Sequence, residues 1–169
     1  MCGLVGRLDP SATDLRAWVE AATDRLAHRG PDDRGTHVEE EAGLALGHRR
    51  LSILDLSSLG HQPMVSDSGR YVLAFNGEIY DHLDLRADLE AGGHRFRGTS
   101  DTEELLAAGD RWGLPAVLRR VDGMFAIALW DRRDRRLALA RDRMGEKPLF
   151  VRTDRRGVRF GSELKALWG

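Results

Sequence analysis

The sequence predicts an α+β domain, in which helices and antiparallel strands are largely separated along the chain. Segments with helical periodicity lie in the first two thirds, and short apolar runs joined by polar turns fill the last third. Strands connected by such short turns pair antiparallel, which argues against a parallel sheet wound from βαβ units. A length of 169 residues is suited to one domain.

The first third of the chain predicts a strand, a helix and a second strand. The apolar residues within 4–8 lie between glycines and predict a short strand. Apolar residues at helical spacing predict a helix over 11–28, which ends at Gly30-Pro31. A Leu- and Ile-rich segment, 43–56, predicts the second strand, and a turn-rich stretch follows it.

The middle of the chain combines one strand with three helices. Asn76-Gly77 is typical of tight turns and predicts a break after the strand. Ser100 and Glu103 have capping-box spacing before an apolar run, which predicts a helix start. The predicted elements are a strand over 71–75 and helices over 79–91, 102–112 and 115–120.

The last third predicts consecutive strands joined by polar turns at 131–136 and 153–157. A further helical pattern begins at 163–168, where the sequence ends, so we expect a chain that continues in a longer protein. The predicted strands cover 125–130, 137–140, 149–152 and 158–160.

Composition excludes several classes of protein. The formal net charge is -1 and the pI is near 6.6, so the basic excess that drives nonspecific nucleic-acid binding is missing. No apolar run approaches the ~18 residues of a membrane span, and the N-terminus does not have the pattern of a signal peptide. The single cysteine cannot close an intramolecular disulfide, which favours a reducing, cytoplasmic location.

Cys2 is the first candidate for chemistry. If Met1 is removed, the thiol and a free α-amine belong to the same residue, and the amine can act as the general base. An α-amine titrates at ~7.7–8.0, much closer to neutrality than a lysine. The alternative is that Cys2 is a small buried apolar residue of the first strand.

Asn76-Gly77 is the second candidate. A side-chain amide and a neighbouring backbone N–H can converge on one point as an oxyanion hole. The alternative is a plain turn, for which the same dipeptide is typical.

Arg50 and Asp101 form a third pair, which suits a zwitterionic amino acid. An arginine binds a carboxylate with two parallel hydrogen bonds, and an aspartate binds an ammonium group. The alternatives are a surface salt bridge for Arg50 and a helix-capping role for Asp101.

Other motifs do not support a cofactor. Gly145-Glu146-Lys147 lacks the remaining residues of a phosphate loop, and Gly3 and Gly6 do not make a dinucleotide fingerprint. The six histidines show no metal-ligand spacing with one another or with Cys2, so we predict no metal site.

Taken together, these motifs resemble a known family, the class II glutamine amidotransferase domain found at the N-terminus of glutamine-hydrolysing asparagine synthetases. The resemblance covers nearly the whole chain in order. The matching segments are 1–3, 28–32, 50–53, 76–80, 99–103, 122–126, 141–145 and 147–149.

The resemblance implies a four-layer αββα N-terminal-nucleophile hydrolase sandwich of two antiparallel sheets. It implies that Cys2 attacks the side-chain amide of L-glutamine, and that Asn76 and Gly77 stabilise the oxyanion. Glutamate and ammonia are the products.

The resemblance also implies a binding site for the α-amino-acid end of glutamine. Arg50 would bind the α-carboxylate, and Asp101 with Glu78 would hold the α-ammonium group. Backbone that follows Arg50 would line the pocket, at Leu51, Ser52, Ile53 and Leu54.

Several consequences concern parts outside this chain. We expect residues 1–169 to be a glutaminase domain that lacks its C-terminal end and the synthetase domain. That absent domain would use ATP and Mg²⁺ to amidate aspartate, whereas this domain needs no cofactor. The partners are then L-glutamine and a synthetase domain in cis or in trans, and a homodimer is compatible with the sequence.

Three alternatives stay open. The ammonia could feed a different acceptor, such as an amino sugar, a peptide or another carboxylate. The chain could be a noncatalytic docking module that keeps the glutamine pocket. It could also be a self-processing amidohydrolase for other amides, although Arg50 with Asp101 argues for an amino-acid substrate.

Overall fold

A computed structural model describes residues 1–53 and 55–168 of the chain. The strands are β1 (Gly3–Leu8), β2 (Asp33–Glu39), β3 (Leu44–Arg50), β4 (Met64–Val65), β5 (Tyr71–Ile79), β6 (Gly123–Asp131), β7 (Arg136–Arg141), β8 (Phe150–Asp154) and β9 (Gly157–Gly161). The helices are α1 (Leu15–Asp24), α2 (His82–Ala91), α3 (Asp101–Trp112) and α4 (Leu114–Arg120). Short 3-10 turns lie at Glu40–Ala42, Ser58–Gly60 and Leu164–Leu167.

The strands form two antiparallel sheets. The first has the order β2-β3-β1-β9-β8, and the second has the order β4-β5-β6-β7. Every strand pair of the described residues is antiparallel, as the sequence predicted.

Three apolar clusters separate four layers, so the αββα sandwich is confirmed. Between the sheets lie side chains from both, including Leu4, Leu46, Ala74, Trp130 and Phe160. One cluster joins α1 to the outer face of the first sheet, and another joins α2, α3 and α4 to the outer face of the second. The period-2 alternation of each strand determines which of its side chains enter the layer between the sheets.

The turn predicted at Asn76-Gly77 is wrong. Strand β5 continues through both residues, which lie opposite Ala126 and Phe125 of β6. Pairing over the whole length of β6 outweighs the local turn preference of the dipeptide, because buried Asn76 and its neighbours are held in the ladder.

Other elements differ in their bounds. Helix α1 is shorter than the predicted 11–28, because Ser11 bonds to Asp9, Asp14 to Arg7, and residues after Asp24 continue as turns. The strand predicted over 43–56 ends at Arg50, and the helical pattern at 163–168 is a 3-10 turn.

Two strands were missed, β2 and β4. Strand β2 is polar and only partly buried, so its sequence has no apolar alternation. Strand β4 has two residues, too few for a periodic signal.

Candidate active site

Cys2, Arg50 and Asn76 lie together at one end of the space between the two sheets. Leu4 in β1, Leu46 in β3 and Ala74 in β5 all point into that space. Cys2, Arg50 and Asn76 have the same strand parity, so their side chains lie on the same inner faces. The β1–β3 register, with Gly3 opposite Arg49, brings the start of the chain beside the end of β3.

The thiol of Cys2 is held by the backbone that follows β3. Its Sγ lies 3.4 Å from the backbone N of Leu51, which donates to it, and 3.6 Å from the Leu51 carbonyl oxygen. Arg29 donates from Nε to the Cys2 carbonyl oxygen at 2.9 Å and from Nη1 to Glu163 at 3.0 Å. The thiol is therefore fixed in position while Cys2 stays partly exposed.

A cavity of about 180 Å³ opens beside Cys2. Eight of the ten residues predicted from the sequence line it: Cys2, Arg50, Leu51, Ile53, Asn76, Gly77, Glu78 and Asp101. Ser52 does not line it, because its backbone N–H is turned to the Asp32 carboxylate at 2.8 Å. Leu54 lies outside the described residues.

The open edge of β5 forms one wall of the site. The N–H of Phe75 donates to Gln62 Oε1 at 2.7 Å, and the N–H of Ile79 donates to Asp101 Oδ2 at 3.1 Å. Both N–H groups point away from β6. In an antiparallel ladder the direction of the N–H group alternates from one residue to the next, so every second residue points to the same side. The N–H of Gly77 therefore points to the same edge, between them.

A second observation agrees with this direction. Phe125, the β6 residue opposite Gly77, uses its N–H and its carbonyl for Asp142, at 3.2 and 2.8 Å. Gly77 and Phe125 are thus a non-hydrogen-bonded pair, and the Gly77 N–H is directed at the cavity.

Asn76 contributes the other donor. Its side chain is buried, and Nδ2 has no hydrogen-bond partner among the described residues. A buried amide N–H₂ without a partner is unfavourable, since its desolvation is not compensated. Beside a cavity, such a donor is a group prepared to bind an oxygen atom.

Gly77 has no room for a side chain. A Cβ there would lie 2.3 Å from the Met124 carbonyl oxygen and 2.8 Å from the Phe125 Cα. Close packing of β5 on β6 therefore requires glycine at the position that supplies the backbone donor.

Arg50 is buried and is oriented by backbone carbonyls. Its Nη1 donates to the Ser57 carbonyl oxygen at 2.8 Å, and its Nη2 donates to that of Asp55. Both acceptors are uncharged, although the charge of Arg50 also acts on the Asp55 carboxylate and lowers its pKa. The guanidinium thus places a positive charge at the cavity.

Asp101 begins α3, with Ser100 as the N-cap residue whose hydroxyl accepts from the N–H of Glu103. Burial raises the pKa of Asp101 to about 6, although the N–H of Ile79 and the nearby His82 act in the opposite direction. The carboxyl is thus mostly ionised at neutral pH and titrates in mild acid.

Sequence reasoning missed the supporting residue His48 and several residues that line the cavity, among them Asp55, Gln62 and Lys147. Each lies far along the chain from Asn76, so no local spacing marks it. Two of these residues were marked by the sequence. His48 lies in a charged patch of a predicted strand, and Lys147 lies in one of the segments that resemble the family.

Lys147 is buried, and its Nζ lies 3.7 Å from Met1 Sδ. The Asp142 carboxylate fixes the turn that leads to Lys147, because it accepts hydrogen bonds from the N–H groups of Glu146 and Lys147, at 2.8 and 3.0 Å. Burial raises the pKa of Asp142, but the backbone N–H groups outweigh it and hold the pKa below its usual range.

Two properties of the described residues bear on other functions. No group of three or more His, Cys, Asp or Glu side chains within 1–53 and 55–168 could hold a metal ion. In the same part of the chain, no helix is both long and apolar enough to span a membrane.

Comparison with known proteins shows the family to which this chain belongs. A family model described as a glutamine amidotransferase domain matches residues 1–169. The chain belongs to the glutamine amidotransferase domain family. The family expected from the sequence motifs is therefore confirmed.

This glutamine amidotransferase domain has curated relatives of greater length. It is 39% identical over 171 residues to asparagine synthetase (glutamine-hydrolyzing) 3 of Bacillus subtilis (strain 168), covering 99% of this chain and 27% of the relative. It is 38% identical over 159 residues to amidase chry2 of Gibberella zeae, covering 94% of this chain and 23% of the relative. The chain spans about a quarter of the length of these curated relatives.

A solved structure shows the same fold. The glutamine phosphoribosylpyrophosphate amidotransferase from B. subtilis, in complex with ADP and GMP, matches with a TM-score of 0.80 at 21% identity. The match covers 98% of this chain and 42% of that chain. The amidotransferase domain thus shares the fold of that structure, and this fold is the αββα sandwich of two antiparallel sheets that the resemblance implied.

Proposed function

We propose that this domain hydrolyses L-glutamine through Cys2 and supplies the ammonia to a synthetase domain outside the chain. The observation that carries the proposal is the unpartnered Asn76 Nδ2 beside the Gly77 N–H, on a cavity that the Cys2 thiol also lines. A nucleophile and two converging donors are the parts that acyl transfer requires.

Glutamine binding uses the two charged ends of the cavity. Arg50 binds the α-carboxylate, while Asp101 and the exposed Glu78 bind the α-ammonium group. Leu51 and Ile53 line the same wall. This arrangement directs the side-chain amide of glutamine towards Cys2.

The reaction requires removal of Met1, because the Cys2 nitrogen is otherwise part of a peptide bond. The freed α-amine accepts the thiol proton, and Sγ attacks the amide carbon. The resulting oxyanion accepts hydrogen bonds from Asn76 and Gly77. When the intermediate collapses, the α-amine returns the proton to the leaving nitrogen, and ammonia departs.

A γ-glutamyl thioester then remains on Cys2. The same α-amine takes a proton from water, the hydroxide adds to the thioester carbon, and the C–S bond breaks. Glutamate leaves and the thiol regains its proton. The balance is one water consumed per glutamine, with glutamate and ammonia formed.

The use of the ammonia lies outside this chain. The name of the B. subtilis relative supports asparagine as the product. In this proposal a synthetase domain in cis or in trans would use ATP and Mg²⁺ to amidate aspartate. No residue of this domain is assigned to ATP or Mg²⁺. Amidase chry2 is a relative that is not named as an asparagine synthetase. A second candidate therefore keeps the glutaminase reaction and has another acceptor, such as an amino sugar, a peptide or another carboxylate.

Glutamate release tests the proposal. Mass spectrometry first establishes that Met1 is absent from the purified chain, and release from L-glutamine is then measured with Cys2→Ala as the control. We expect turnover that depends on Cys2, with glutamine binding retained in the variant. A folded, Met1-free chain that binds glutamine without releasing glutamate would favour the docking module.

A further inference from the structure

The two charged ends of the cavity belong to different parts of the fold. Arg50 ends β3 in the first sheet, whereas Asp101 begins α3 in the outer helix layer. Strand β3 lies in the first sheet, and α3 lies outside both sheets. Hydrogen bonds within a sheet therefore do not fix the distance between Arg50 and Asp101.

Asp55 joins these two parts. Its Oδ1 accepts the N–H and the hydroxyl of Ser57, at 2.8 and 2.6 Å. Its Oδ2 accepts the N–H of Thr99 at 3.0 Å and lies 3.4 Å from the Thr99 hydroxyl. One buried carboxylate therefore binds the segment after β3 to the loop before α3.

The Arg50 end depends on this bridge. Its guanidinium donates to the carbonyl oxygens of Asp55 and Ser57, the two residues that the carboxylate organises. Movement of that segment would displace both acceptors and, with them, the guanidinium.

The Asp101 end depends on it too. Thr99 precedes Asp101 by two residues, and the loop fits closely, since a Cβ on Gly98 would lie 2.8 Å from Asp55 Oδ2. The N–H of Gly98 is in turn held by Glu103 Oε2 at 2.9 Å. The loop is thus fixed on the Asp55 side and on the α3 side.

The Asp55 carboxylate remains charged under ordinary conditions. Hydrogen bonds from Ser57 and Thr99 lower its pKa to about 2, against the effect of burial. Hydrogen bonds to a charged acceptor are stronger than neutral ones, so the bridge is rigid.

We propose that Asp55 is a positioning residue, which fixes the separation of Arg50 and Asp101 and so makes the site select substrates with a free α-carboxylate and a free α-ammonium group. The inference rests on the proposed function and deepens it. Asp55 touches neither the reacting amide nor the thiol in this role.

Asp55→Asn is the informative variant. The side chain keeps its size, and one oxygen can still accept from Ser57. Its amide N–H₂ would then face the N–H of Thr99, donor against donor, so the bridge to the α3 loop is lost.

Asp9→Asn is a matched control. Asp9 is also buried, and its Oδ1 accepts the N–H and the hydroxyl of Ser11 at 2.9 and 2.6 Å, the same pattern as Asp55 with Ser57. Its pKa is likewise lowered to about 2, by Ser11 and Arg7. Asp9 does not line the cavity.

The experiment compares kcat/KM for L-glutamine with kcat/KM for butanamide, which has the amide but lacks both α-groups. We expect Asp55→Asn to lower the value for glutamine by roughly tenfold or more, with butanamide little changed. Asp9→Asn should leave the ratio of the two substrates as in the parent. An unchanged ratio in Asp55→Asn, or an equal change in both variants, would overturn the inference.

Binding provides a readout that does not need turnover. In a Cys2→Ala background, calorimetry with L-glutamine should show a Kd that Asp55→Asn raises by the same roughly tenfold factor. If the parent releases no glutamate but Cys2→Ala binds glutamine, the proposed function fails and this measurement still tests Asp55. If Cys2→Ala binds no glutamine and the parent releases no glutamate, both proposals are overturned.

A milder variant covers the case in which Asp55→Asn does not fold. The double variant Ser57→Ala/Thr99→Val removes two hydroxyl groups and keeps the carboxylate and the backbone donors. We expect a smaller shift of the substrate ratio in the same direction. No shift in a folded double variant would count against Asp55 as the positioning residue.

Discussion

His48 Nε2 donates a hydrogen bond to the carbonyl oxygen of Phe75 at 2.9 Å, the residue directly before Asn76. The N–H of the same Phe75 donates to Gln62 Oε1. Two side chains therefore take the place of a neighbouring strand along the edge of β5, beyond the short β4. This contact also joins β3 to β5, across the two sheets, next to Asn76 and Gly77, the proposed oxyanion donors.

The neutral form of His48 should stabilise the fold at neutral pH. Burial lowers its pKa to about 4, whereas the unfolded chain takes up the proton near pH 6.5. The unfolding free energy is highest above pH 6.5 and falls as the pH drops towards 4, with a loss of about 2 kcal/mol at pH 5.

Urea unfolding at pH 7 and pH 5 checks this, with His48→Gln for comparison. Asp101, whose raised pKa acts in the opposite direction over this range, is present in both proteins, so their difference isolates His48. Equal losses of unfolding free energy in the two proteins would contradict the assignment.

Asn76→Ala should lower kcat by roughly 10²–10³, because one of the two oxyanion donors is lost. The Cys2 thiol is bound by Leu51 and not by Asn76, so its rate of alkylation by iodoacetamide should be unchanged. Steady-state glutaminase kinetics measure the effect. A loss confined to KM would remove Asn76 from the oxyanion hole.

Gly77→Ala should destabilise the protein by about 1–3 kcal/mol, because the added Cβ meets the β6 backbone. Gly109, inside α3, is the control, since a Cβ there has nothing within 4 Å. Gly109→Ala should stabilise by roughly 0.5–1 kcal/mol through helix propensity. Thermal unfolding of both variants tests this, and similar midpoints would show that the strand can yield at Gly77.

Glutamine binding should weaken in mild acid. The role proposed for Asp101, binding of the α-ammonium group, requires the ionised carboxyl, and burial raises the pKa of Asp101 to about 6. We expect KM for glutamine to rise about tenfold as the pH falls from 7 to 5. Asp55 has a pKa of about 2 and stays ionised over that range.

Asp101→Asn identifies the titrating group. The variant should have a high KM for glutamine at every pH, and this KM should not rise in mild acid as that of the parent does. A variant whose KM still rises below pH 6 would assign that titration to another group.

Much of this protein was predictable from local sequence patterns. The apolar runs at 125–130, 137–140 and 158–160 are strands, as predicted. They were predictable because apolar alternation and turn preference depend on residues that are close together along the chain. Ser100 caps α3 as its spacing to Glu103 predicted. Glu103 does not complete the box, since its carboxylate accepts from Arg97 and Gly98 and not from the cap residue.

The sequence by itself determined the α+β class, the family and eight of the residues around the cavity, because these depend on motifs whose members are close along the chain. Tertiary structure alone decided that Asn76-Gly77 lies within a strand, where pairing with β6 overrides the turn preference. It also decided that His48, Gln62 and Asp55 support the site. Hydrogen bonds such as Asp55 to Thr99 join residues 44 apart, and no local spacing encodes a contact that only packing of the two sheets and α3 creates.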